Sequence, residues 1–64
     1  MRGPVENREV IFEFMPMGPY VKVTAMDAVT LIEVSVQCPA GSTEQVMKHH
    51  ALKRLDYVMR KKGL

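Results

Sequence analysis

Sixty-four residues, a net charge of +2 and a single cysteine bound what this chain can be. There is room for one domain, which buries only about 60% of its extended surface, and an internal disulfide is excluded. No stretch approaches the roughly 18 apolar residues of a membrane-spanning helix, and Met1 to Glu9 lacks the apolar run of a signal peptide, so a reducing, cytoplasmic setting is expected.

The first eight residues read as a flexible N-terminal segment, and residues 9–64 as a single β-β-β-α domain. Three runs rich in β-branched or aromatic residues alternate with period two and predict strands at 9–15, 20–26 and 31–37. Pro16, Gly18 and Pro19 break the chain between the first two, and residues 27–30 between the last two. One face of these strands is wholly apolar: Val10, Phe12 and Phe14, then Val21, Val23 and Ala25, then Ile32, Val34 and Val36. With Met15 facing Tyr20 and Met26 facing Leu31, the strands form an antiparallel meander. Phe12, Val23 and Val34 then share a row, and Glu13 faces Lys22 on the other side.

A helix of about 20 residues follows, with Ser42 as N-cap, Gln45 completing a capping box and Gly63 as the stop. At 100° per residue Met47, Ala51, Leu55 and Val58 form its apolar stripe, flanked by Leu52 and Met59. A second, narrower strip holds Val46, His50 and Tyr57 beside Arg54 and Lys61, and reads as an amphipathic shoulder of the core, with contact to a protein partner or to nucleic-acid bases as the alternative. The fold class is therefore α+β, a three-stranded antiparallel meander packed on one C-terminal helix. A helix about 10 Å wide covers one face of three strands and leaves the other bare, and its basic end overhangs the sheet by about one turn.

Function has to be sought on what remains exposed. The bare face mixes charges with Ile11, Met15, Tyr20, Met26 and Leu31, a composition suited to a protein partner, and the third strand has little to block strand addition at its edge. Charge is unevenly placed. Residues 1–43 carry three basic and five acidic side chains, and residues 44–64 carry six basic and two acidic. Lys53, Arg54, Arg60, Lys61 and Lys62 are accordingly the anion contacts if the helix binds nucleic acid. Part of that excess complements the helix dipole.

Catalysis finds no support. His49 and His50 are adjacent and point about 100° apart on a helix, so they do not chelate one metal. Cys38 has no CxxC partner and falls on the core face as a structural thiol. The stretch from Pro39 to Thr43 lacks the lysine and glycines of a phosphate loop. No cofactor, metal or catalytic set is expected.

The runs Val10-Ile11-Phe12-Glu13-Phe14, Val21-Lys22-Val23-Thr24-Ala25-Met26-Asp27, Glu33-Val34-Ser35-Val36 and Ala51-Leu52-Lys53-Arg54-Leu55-Asp56-Tyr57-Val58 resemble a family of small uncharacterised bacterial proteins, from about residue 9 to residue 62. The resemblance implies the β-β-β-α fold and carries no activity with it. Such relatives tend to have Thr-Gly after the Asp turn, where this chain has Thr30-Leu31. Glycine takes a positive φ there at little cost, so Leu31 implies strain or a rearranged turn.

The sequence therefore reads as a non-enzymatic interaction module: a small homo-oligomer, or an accessory subunit docking through its open sheet face or edge. Nucleic-acid binding by the basic helix is the alternative.

Overall fold

A computed structural model describes residues 9–63. The expected flexible segment 1–8, and Leu64 of the expected domain, lie outside the described residues. Three antiparallel strands, β1 (Val10–Met17), β2 (Tyr20–Asp27) and β3 (Glu33–Pro39), lie in the order β1-β2-β3 and are followed by one helix, α1 (Glu44–Lys61). The α+β meander with a C-terminal helix is thus the architecture.

Both registers differ from the expected ones by two residues. Met17, not Met15, faces Tyr20, because β1 runs on through Pro16 and the turn shrinks to Gly18-Pro19. Gly18 has φ 69°, and a positive φ at the first turn position followed by proline suits the tight hairpin that matches strand twist. Ala28 N–H donates to the Glu9 carbonyl at 3.0 Å. Antiparallel alternation then aims the backbone of Ile11, Glu13 and Met15 at β2, and that of Val10, Phe12, Phe14 and Pro16 outward. Proline is tolerated inside β1 because it sits on an edge, where its missing N–H takes no hydrogen bond from the ladder.

The second loop is also displaced. Asp27 N–H donates to the Ile32 carbonyl at 2.9 Å and Leu31 N–H to the Asp27 carbonyl at 2.8 Å, so Met26 pairs with Glu33 rather than Leu31. The Asp27 carboxylate is fully buried, and its Oδ2 accepts from Thr30 N–H at 2.8 Å and Thr30 Oγ1 at 2.7 Å. These bonds hold Leu31 at φ 63°, the strained, left-handed conformation, within the displaced loop.

A shift of two leaves every side chain within the strands on its expected face but changes its neighbours, and it moves Leu31 off the sheet into the loop. The inner rows are Phe12–Ala25–Val34, Phe14–Val23–Val36 and Pro16–Val21–Cys38. On the outer face Glu13 meets Thr24, not Lys22, and Lys22 lies between Met15 and Gln37.

The buried core comprises Val23, Ala25 and Cys38 from the sheet and Ala51, Leu55 and Met59 from the helix. It is centred on β2 and β3, the strands α1 packs against. The expected cover of all three strands does not form. Val10 and Phe12 are partly buried against the core, with Lys48 Nζ 5.4 Å from the Phe12 ring centroid, but Phe14 is 37% exposed. The cause is geometric. Three strands are about 10 Å across between outer axes, so a helix about 10 Å wide seated over two of them leaves the third in the open.

The N-cap is Thr43, one residue later than Ser42: its Oγ1 accepts from Val46 N–H at 3.2 Å. Valine at the third helical position rules out a capping box. Ser42 instead donates its N–H to the Pro39 carbonyl at 2.9 Å. The helix ends as expected, with Gly63 at φ 77° and its N–H on the Arg60 carbonyl. Eighteen residues make α1 about 27 Å long, close to the roughly 26 Å of an eight-residue strand. Met59 in the last turn is fully buried, so the helix end packs on the sheet instead of overhanging it.

Candidate functional site

Two surfaces are left once the core has formed. The first is the open face of the sheet. Of its expected contact residues, Ile11 and Met26 pair directly, and Met15 sits one row from the Met17–Tyr20 pair. Leu31 stands in the loop beyond the sheet, 65% exposed. Ile11, Met15 and Met17 are also exposed, whereas Tyr20 and Met26 are half-buried. The observed register separates these residues into two groups. Between Ile11–Met26 at one end and Met15, Met17 and Tyr20 at the other runs the row Glu13–Thr24–Ser35, in which Thr24 Oγ1 and Ser35 Oγ share a hydrogen bond of 3.0 Å. The open face is thus two apolar ends about 13 Å apart, divided by a polar belt, and not one continuous patch. Met17 joins these contacts because β1 runs on through Pro16, which in the sequence reads as the start of the turn.

The second surface lies between α1 and the outer edge of β3. The register that joins Asp27 to Ile32 turns the backbone of Val34, Val36 and Cys38 toward β2. It turns the N–H and C=O groups of Glu33, Ser35 and Gln37 outward, where no described strand pairs with them. Alongside this edge runs a groove of about 430 Å³, lined on the strand side by Val36 and Cys38 and on the helix side by His50, Lys53, Arg54 and Tyr57. No carboxylate among the described residues lines it. The strip read as a shoulder of the core is therefore the wall of a groove. Tyr57 is exposed, with Arg54 Cζ and Lys61 Nζ each 5.7 Å from its ring centroid. Period alone shows which helix residues share this strip, but not that the helix seats away from β1 and leaves the strip facing the β3 edge.

The five helix cations do not form one anion-binding row. Arg54 and Lys61 flank Tyr57, and Arg60 donates from Nε to Asp56 Oδ2 at 2.7 Å. Lys53 joins Arg54 in the groove wall although the two leave the helix about 100° apart, and Lys62 caps the helix end.

Of the candidate chemical groups, Cys38 and His50 line the same groove. Cys38 is a buried free thiol, and the His49 and His50 rings meet edge to face at 5.9 Å between centroids. No three His, Cys, Asp or Glu side chains among the described residues come together to hold a metal, and no described helix is long and apolar enough to cross a membrane.

No curated protein and no solved structure matches the chain. A family model does, over residues 7–62, which contain all three strands and the helix. The chain belongs to the family described as a domain of unknown function, DUF6898.

Proposed function

We propose that this chain is a non-enzymatic, cytoplasmic protein-interaction module, a small homo-oligomer or the accessory subunit of a larger complex, docking through the open face or edge of its sheet. The observation that carries the reading is the uncovered outer face, where Ile11, Met15 and Met17 are exposed on a domain with a small core. A chain of this size gains stability by covering such a surface, and exposed methionines adapt to a partner's shape. Leu31 adds to the reading. A large apolar residue held exposed in a strained conformation costs stability in the isolated chain, and strain of this kind concentrates at binding sites. The free thiol of Cys38 suits a reducing compartment.

Light scattering after gel filtration tests the reading. Self-docking predicts an assembly that Met15→Glu returns to monomer. The accessory-subunit form predicts a monomer whose capture of a host protein weakens on Tyr20→Glu. A monomer that captures nothing contradicts both.

A second reading, nucleic-acid binding by α1, draws on the cation pair around Tyr57. It predicts binding to RNA or DNA that falls steeply with salt. Absence of binding at low ionic strength would remove it.

A further inference from the structure

The geometry points to a specific occupant for the groove beside β3: an extended acidic peptide segment of a partner protein that adds as a fourth strand and sets its carboxylates against His50, Lys53 and Arg54. The inference rests on the interaction reading above and names the partner's chemistry at the edge. Two independent features meet there. One is the outward row of Glu33, Ser35 and Gln37 backbone groups, which offers three N–H donors spaced two residues apart, the repeat an added strand satisfies. The other is the groove itself. Side chains of an added strand alternate between the two faces, so every second one falls on the helix side, beyond Val36 and Cys38 and against the α1 wall.

That wall determines the chemistry. Lys53 and Arg54 supply two cations and His50 a ring nitrogen, without a lining carboxylate among the described residues to neutralise them. Apolar side chains have Val36, Cys38 and the Tyr57 ring to pack on. The groove, at about 430 Å³, suits a few side chains of a strand and not a globular lobe. Mixed acidic and apolar composition in extended conformation is what the site recognises.

A second copy of this chain is the wrong occupant. An antiparallel pair of β3 edges related by a two-fold axis keeps both helices on the same side of the joined sheet. The two cationic walls would then face one another, and juxtaposed like charges oppose association. The β1 edge does not offer the same site. Its outward groups include Pro16, which has no N–H, and α1 provides no facing wall there.

The test titrates the full chain with a fluorescent, end-blocked ten-residue peptide alternating glutamate and valine, read by anisotropy. Three comparison probes accompany it: the same peptide N-methylated on alternate amides, in both phases of alternation, its lysine-for-glutamate counterpart, and a ten-nucleotide oligo-dT. Binding of the acidic peptide is expected, about tenfold weakened by Arg54→Glu and by Lys53→Glu, and lost in the N-methylation phase that removes the pairing amides. Lys22→Glu makes the same charge change on the open face and is expected to leave binding within about twofold. All these side chains are exposed, and unchanged thermal melts would confirm that the variants fold.

Equal binding of both N-methylated peptides, or equal weakening by Lys22→Glu and Arg54→Glu, would reduce the interaction to non-specific charge and overturn the proposal. Tighter binding of oligo-dT with the same sensitivity to Arg54→Glu would reassign the groove to nucleic acid. If the peptide fails to bind while the open face still drives assembly sensitive to Met15→Glu, the groove proposal falls alone. If assembly and partner capture also fail, the interaction reading falls with it.

Discussion

β1 and β3 are both edge strands with apolar residues alternating on the helix side, yet they end in different environments. β3 stands beneath one flank of α1 and forms a walled groove with it, whereas β1 is left as a shelf on which Phe12 and Phe14 stack, ring centroids 6.5 Å apart, with Phe14 partly exposed. The link from β3 to α1 is only residues 40–43, so the helix returns over the strand it has just left. Ala25 and Ala51 at the buried contact allow close approach to β2. A sheet and helix with one common apolar face therefore do not share it evenly. The short link decides which strand is covered and where a groove opens.

The largest test of this difference sets the covered half against the shelf. Leu55→Ala should destabilise by about 3 kcal/mol in chemical denaturation, enough to unfold much of so small a domain. Phe14→Ala removes a bigger side chain but should cost about 1 kcal/mol, well under the usual loss for a core phenylalanine. Equal losses would mean that β1 is covered after all. Next comes the loop that anchors β3 to β2. Asp27→Ala removes the acceptor of two hydrogen bonds from Thr30 and should cost about 2 kcal/mol. The start of the helix can then be located by thermal melts: Thr43→Ala should lose about 1 kcal/mol, and Ser42→Ala no more than a few tenths, about the size of measurement error. The reverse order would restore Ser42 as the cap and shorten the link that seats the helix.

One small effect has the opposite sign. Leu31→Gly relieves the left-handed strain at the cost of glycine's extra freedom when unfolded, a net gain of about 0.5 kcal/mol. The same variant should weaken assembly or partner capture, because it removes an exposed apolar side chain. Unchanged binding would take Leu31 out of the interface.

Particular residues show what the sequence carried and what it left open. Val23, Ala25 and Cys38 were legible as core positions because a period of two assigns faces, and a shift by two residues leaves faces intact. For the same reason the pattern could not distinguish Met17 from Met15 as the partner of Tyr20, and the open face looked continuous until the row Glu13–Thr24–Ser35 was placed across it. Pro16 was misleading as a breaker, since an edge strand has no use for its N–H. The strain at Leu31 follows from the family resemblance, whose members tend to carry glycine at that position, and not from the residues of this chain alone. The groove was not legible, because it depends on where a helix seats laterally, and period carries no information about that.

The proposal that an acidic strand docks at the β3 edge can be read directly by residue-resolved amide hydrogen exchange with and without the acidic peptide. Slowed exchange at Glu33, Ser35 and Gln37, with Val10, Phe12 and Phe14 unchanged, is the predicted result. Protection appearing on β1 instead, or on neither edge with the peptide bound, would contradict it.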